Sequence, residues 1–283
     1  MTGEDILESI LAAKREDLPF RQQKEPMQSL QRRIRQLEQQ QEGRAEQWSL
    51  RRAILEGPRG PLSGGKRIQL IAEIKKATPS KGRIITDAER QGLARAYTHS
   101  GVTAVSVMTE PKRFMGQMQF LLETRNILDG YYPGGRPAIL REDFLFDPYH
   151  IWESRAFGAD AVLLIVSILS DSQLRDLMAL ASELTMESLL EVQDEADVER
   201  ALAAGADMLL ISHRDWRTFE VDAGKTERLR PLIPAEKVVI SSGGIVDRAD
   251  VERLADLGVH AVKVGEALIT ARDVKRKARE LMV

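Results

Sequence analysis

The stretch AVKVGEAL (261–268) sets Lys263 inside an apolar run, where a buried ammonium is costly unless something compensates it. Other polar residues occupy comparable places, each near the end of a short apolar run. They are Glu73 and Lys75 in IAEIKK, Glu142 in AILRED, Glu191 in SLLEVQ, Ser212 and Arg214 in LLISHR, Ser242 and Gly244 in VVISSGGI, and Gly265 just after Lys263. A spacing of two keeps Glu73 with Lys75, and Lys263 with Gly265, on one face of a strand. Carboxylates and an ammonium that converge on one point can exchange protons with a substrate. Surrounded by carboxylates, Lys263 stays protonated and suits a general acid or an oxyanion stabiliser. Surrounded by apolar groups such as Trp216 and Phe114, it would lose its proton readily and suit a Schiff base with a ketose. Sequence leaves both open. A carboxylate cluster also suits a divalent metal, but Lys75 and Lys263 already neutralise part of this one, so neither metal nor cofactor is expected. His213 has the chemistry of a proton-transfer group, but as a loop histidine it is expected to be solvated, and His99, His150 and His260 show no ligand spacing.

These residues need a scaffold that brings strand ends together. From residue 68 onward, β-rich apolar runs (QLIAEIK, TAVSVMT, PAILRED, DAVLLIV, SLLEVQ, DMLLISH, KVVISSG, HAVKVG) alternate with helical segments such as DAERQGLARAYTHSG and DRADVERLADLG. Eight such units predict the α/β class and a closed, parallel (β/α)8 barrel over 67–283. An open doubly wound sheet would normally carry a glycine-rich GxGxxG loop after its first strand, and none occurs. In a barrel of this kind the chemistry sits at the C-terminal strand ends, and the loops after strands seven and eight form a recurrent phosphate site. Here those loops are SGGI and VGEAL, which nominate Gly243, Gly244, Gly265 and Glu266.

Residues 1–66 are polar, with Ile6, Ile10 and Leu11, then Leu30, Ile34 and Leu37, at helical spacing. They predict two or three amphipathic helices packed on the barrel, followed by a Gly- and Pro-rich loop at 56–67. A net charge of −2 gives no reason to expect a nucleic-acid partner or an anionic membrane surface. The chain has no cysteine, no apolar run of membrane-spanning length and an acidic N-terminus, which together suggest a cytoplasmic protein acting on a small molecule.

Several segments carry a more specific message. IAEIKKATPSKG (71–82), SVMTEPKRFMG (106–116), LREDFLFDPYHIWESRAFGADAVLLIVSIL (140–169), LLEVQDEADVERALAAGAD (189–207), SGGI and VGEAL resemble indole-3-glycerol phosphate synthase, in order and with matching spacing. The resemblance implies a (β/α)8 TIM barrel with N-terminal helices. It also implies a phosphorylated substrate and a lyase reaction of tryptophan biosynthesis. In that reaction an anthranilate ring carbon attacks the ketone of a carboxyphenylamino-deoxyribulose phosphate, after which CO₂ and water leave. Carried over by position, Glu73 and Glu191 match catalytic carboxylates, and Lys75 a lysine near substrate and phosphate. Ser80 matches a substrate-binding serine and Phe114 a ring-packing phenylalanine, while Arg214, Gly244 and Gly265 fall in the phosphate neighbourhood.

The mouth departs from the family. Glu142 stands where the family's principal general acid, a lysine, ends strand three. Ser212 and His213 replace an Asn pair, Ser242 and Gly243 replace a substrate-binding Glu and Ser, and Trp216 replaces a Leu. Lys263 takes an apolar position facing the substrate's aromatic part. Three readings follow. One is a ring-closing lyase whose acid has moved to strand eight, opposite Glu142. Another is a diverged paralogue using Lys263 on a different phosphorylated ketose or aromatic phosphosugar. The last is a non-catalytic binder of a phosphorylated ligand.

Overall fold

A computed structural model describes residues 5–41, 48–57, 68–131 and 136–283. Eight strands close into a parallel barrel: β1 (Gln69–Ile74), β2 (Ala104–Met108), β3 (Ala138–Glu142), β4 (Ala161–Ile165), β5 (Glu187–Val192), β6 (Met208–Ser212), β7 (Val238–Ser242) and β8 (Ala261–Val264). Each of the eight runs expected from the sequence is one of these strands. Closure is made by β8 against β1, with Ile71 opposite Lys263 and Ala72 opposite Val264. A closed barrel has no edge strand, so every strand is paired on both sides.

Strand alternation divides the core. Ile71, Leu140, Leu163, Leu189, Leu210 and Ile240 fill the barrel interior. Residues of opposite parity, such as Leu70, Val105, Ile139 and Leu164, pack outward against the surrounding helices. One step further along the inward face the residues turn polar, at Glu73, Ser106, Glu142, Glu191, Ser212, Ser242 and Lys263. Crossover helices begin with side-chain caps, including capping boxes at Thr86, Ser170 and Asp247, each worth about 1 kcal/mol.

Three N-terminal helices attach to three different places. Leu7, Ile10 and Leu11 of α1 (Ile6–Lys24) pack on Met108, Phe114, Phe144, Ile165 and Trp216 at the C-terminal end of the barrel. Leu30 and Ile34 of α2 (Met27–Gln41) pack on Tyr149 and Ala156 of the helix Pro148–Ala156. Leu50 and Ile54 of α3 (Leu50–Glu56) enter the interior cluster from the N-terminal end, where Ser49 donates to Glu187 at the start of β5 (2.8 Å). The expected loop at 56–67 falls mostly on 58–67, outside the described residues; Glu56 closes α3 instead. Among the described residues no helix is long and apolar enough to cross a membrane.

Candidate active site

The polar step of the inward face opens into a cavity of about 280 Å³ at the C-terminal end of the barrel. Its floor is a cluster of buried charge. Lys263 on β8 crosses to Glu142 on β3, with Nζ 2.5 Å from Oε1, while Ser106 on β2 donates to the other carboxylate oxygen at 2.6 Å. On β1, Glu73 accepts from Lys75 at 2.8 Å. Glu191 on β5 accepts from the Trp216 indole N–H. Lys263, Glu142, Glu73 and Glu191 are all at most 5% exposed, so their charges are felt at close to interior strength.

Burial alone would drive each of these groups towards neutrality. For Lys263 the three carboxylates outweigh burial and hold the ammonium above its usual range. For Glu73 burial is outweighed by Lys75 and then Lys263, which hold the carboxyl below its usual range. Glu191 goes the other way: burial pushes it up to about 7, Glu142 adds to this, and Lys263 only partly opposes it. The floor thus offers a charged ammonium, an ionised carboxylate and a carboxyl poised near neutrality.

One wall is aromatic. Trp216 meets Phe144, Phe219 and Phe114 edge to face, at centroid distances of 5.2, 5.7 and 6.2 Å. Across the cavity, the loop after β1 forms a short antiparallel ladder between Ala77–Thr78 and Gly82–Arg83. Ser80 lies at its turn, and Lys81 reaches over to pair with Glu266.

The remaining wall is backbone. After β7, Gly243 and Gly244 take φ of 96° and 67°, a region open to glycine but strained for other residues. A Cβ on Gly244 would sit 2.6 Å from Val221, so the chain passes only because that atom is missing. At Gly265 the close neighbour is Glu73: an added Cβ would lie 1.9 Å from Oε2. His213 corrects the sequence expectation of a solvated ring, being only 1% exposed. Its Nδ1 donates to the Gly243 carbonyl (2.8 Å), and Nε2 meets the hydroxyls of Thr226 (2.7 Å) and Ser241 (3.0 Å). Burial holds its pKa below the usual value, which keeps Nε2 free to accept from a hydroxyl. The ring ties β6 and β7 to the glycine turn.

The sequence profile of the family described as indole-3-glycerol phosphate synthase matches residues 7–281. The chain belongs to the indole-3-glycerol phosphate synthase family. It is 43% identical over 238 residues to the indole-3-glycerol phosphate synthase of Dehalococcoides mccartyi (strain CBDB1), covering 82% of this chain and 90% of that protein. With the enzyme of that name from Acetivibrio thermocellus, identity is 44% over 221 residues, 78% of this chain and 82% of that one. Among solved structures, 3-hexulose-6-phosphate synthase from Salmonella typhimurium gives a TM-score of 0.59 at 18% identity over 76% of this chain and 96% of that one, a likeness of fold alone. The family agrees with the reaction class implied by the sequence resemblance, a lyase of tryptophan biosynthesis.

Each residue that the sequence nominated for an indole-3-glycerol phosphate synthase site lines this one cavity. Glu73, Lys75, Glu142, Glu191 and Lys263 form the floor. Ser80, Phe114, Ser212, Trp216 and Ser242 stand around it, and Arg214, Gly243, Gly244, Gly265 and Glu266 line the backbone end. Arg214 donates to the Phe219 carbonyl at 2.9 Å, so part of its guanidinium is committed to holding the loop after β6. Sequence reasoning missed Ser106, although a lone serine on the inward parity of AVSVM carries the same signal as Lys263 in AVKV. It also missed Thr78, Met108, Phe219 and Thr270, which reach the cavity from loops or partly apolar strands and had no local signal.

Proposed function

We propose that this chain is an indole-3-glycerol phosphate synthase in which the general acid acts from β8 instead of β3. The substrate is a carboxyphenylamino-deoxyribulose 5-phosphate. One observation carries the reading: Lys263 spans the mouth to Glu142, so the residue absent from strand three is answered by an ammonium in the same cavity. Because carboxylates hold Lys263 charged, it serves as a proton donor to the ketone oxygen while the anthranilate carbon attacks. A Schiff base would need the neutral amine, which these neighbours disfavour.

The two remaining carboxyl groups differ in proton affinity, and that difference divides their work. Glu73 stays ionised and takes a proton from the methylene carbon beside the nitrogen as the hydroxyl departs, the benzene ring having regained its aromaticity when CO₂ left. Glu191, near half-protonated at neutral pH, assists departure of the hydroxyl as water. The glycine turns after β7 and β8 hold the phosphate with backbone N–H groups, and Lys81 neutralises Glu266 beside them. Phe114 and Trp216 pack on the aromatic portion, and Ser80, Ser212 and Ser242 offer hydroxyls to the chain of the sugar. We place the protein in the cytoplasm, with no metal, cofactor, nucleic acid or membrane involved.

A second reading has its own support. Ser242 and Gly243 are smaller than the Glu and Ser that the resemblance leads one to expect on β7, which leaves room for another phosphorylated ketose or aromatic phosphosugar.

The test is turnover of carboxyphenylamino-deoxyribulose 5-phosphate, followed by indole fluorescence, for the parent chain and for Lys263→Ala. Turnover by the parent and a loss of ~10²–10⁴ in the variant support the relocated acid. Binding without turnover by the parent sinks the lyase reading. Equal turnover by both proteins removes Lys263 from the mechanism.

A further inference from the structure

The contact between Trp216 and Glu191 joins the aromatic wall to the charged floor. The indole is 7% exposed and is enclosed edge to face by Phe114, Phe144 and Phe219, on a cluster that also takes in Leu7, Ile10 and Leu11 of α1. A ring held on so many sides has one orientation. Its single polar atom, the Nε1–H, is therefore delivered to a fixed point, and Glu191 Oε1 occupies that point. The leucine that the family resemblance leads one to expect here would fill similar space and donate nothing.

We propose that Trp216 is a positioning residue that aims the Glu191 carboxyl into the cavity and stabilises its ionised form through the indole N–H. The inference rests on Glu191 taking part in the proposed reaction, but the contact itself is a property of the free protein. Four groups face the Glu191 carboxyl. Glu142 from β3 opposes its charge, and Lys263 from β8 favours it while bonded directly to Glu142. Gln193, just past the end of β5, and Trp216 from the loop after β6 also favour the charged form. Of these, Trp216 makes the direct hydrogen bond, and a donor to a carboxylate is stronger than a neutral pair. Without it, burial and Glu142 face only Lys263 and Gln193, and the proton is held more tightly.

The experiment uses the full chain, uniformly labelled with ¹⁵N, without substrate. Its three tryptophans, Trp48, Trp152 and Trp216, give three indole N–H signals. The Trp216 signal is identified by its loss in Trp216→Phe or, should that variant not fold, by its displacement in Glu191→Gln. Titrated from pH ~5 to ~9, the Trp216 signal is expected to move with a midpoint near that of Glu191 and to stop moving in Glu191→Gln. In parallel, the kcat/KM limb belonging to Glu191 is expected to shift upward by about one pH unit in Trp216→Phe, which keeps the aromatic packing but not the donor. The limb shifts upward whether Glu191 works as acid or as base. A Trp216 signal that ignores pH in the parent protein overturns the proposal, as does an unshifted limb in a folded Trp216→Phe. Absence of turnover with a titrating signal would instead count against the ring-closing reaction alone.

Discussion

Two charge networks are buried within a few residues of each other, and LREDF (140–144) feeds both. Glu142 points inward to Lys263 and the cavity. Arg141 and Asp143, of the other parity, point outward and bond one another at 3.0 Å beneath α1. Lys14 of α1 reaches Asp143 at 2.6 Å, and Arg21 reaches Glu153 at 2.5 Å. In this outer network Asp143 is fully engaged, taking hydrogen bonds from Lys14, Arg141, Thr109 and the Phe144 N–H. Although burial opposes its charge, Lys14 and Arg141 hold the carboxyl far below its usual range. In the mouth, three carboxylates share Lys263 and Lys75, and Glu191 is left with an indole and a raised proton affinity. The outer network, none of whose residues lines the active-site cavity, holds α1 on the barrel. An under-compensated network that faces a cavity keeps proton affinities available for chemistry.

Exchanging the damage between the two networks tests this contrast. The largest effect on catalysis is expected from Lys263→Met, a fall in kcat of ~10²–10⁴. The double variant Glu142→Gln, Lys263→Met should recover stability but not rate, because it removes the uncompensated carboxylate without restoring an acid. Lys14→Met should do the reverse. It removes one of the two cations paired with Asp143, leaving Arg141, and lowers stability to urea by ~1–3 kcal/mol, while the folded fraction keeps its kcat. A variant of Lys14 that kills turnover at full stability would erase the distinction. Gly265→Ala comes next: the new methyl must displace Glu73, and a misplacement of about 1 Å can cost ~10²-fold in rate. Unchanged kcat in that variant would show that Glu73 tolerates movement.

The pH-linked effects are thermal and have opposite signs. Folding lowers the pKa of Asp143, so its stabilisation is full above the unfolded value of ~3.9 and is lost as pH falls below it. Folding raises Glu191 to about 7, so its charge erodes stability as pH climbs from ~4.3 through 7. At pH ~8, Asp143→Asn should therefore lower Tm and Glu191→Gln should raise it. Melting curves in which both variants shift the same way would break the comparison.

Much of the architecture was legible because barrel strands have a two-residue period. Alternation in AVKVG is enough to set Lys263 and Gly265 on one face, and the same parity gathers Glu73, Glu142 and Glu191. Helical spacing at Ile10 and Leu11, and at Leu30 and Ile34, likewise marked residues that are buried in the fold. Periodicity was silent on what those helices cover, since an amphipathic face declares that it is buried and not against what. Hence neither the plugging of the barrel by α3 nor the seating of α1 on the aromatic wall could be read ahead.

Most contacts between residues distant in sequence belonged to the tertiary structure alone. Composition and spacing placed Lys263 among carboxylates. They also set Glu142 opposite it; the closed barrel made that a direct contact between residues 121 apart in the chain, and gave Glu191 to Trp216, which the sequence had not suggested. His213 shows the same limit: by local sequence it is a loop histidine, and by packing it is a buried tie between β6 and β7. Sequence by itself determined the family, the barrel and which residues face its mouth, because these follow from local pattern and order along the chain. Which carboxyl is ionised, which is poised near neutrality and which loop each ring holds were decided by the tertiary structure, because burial and charge act through space.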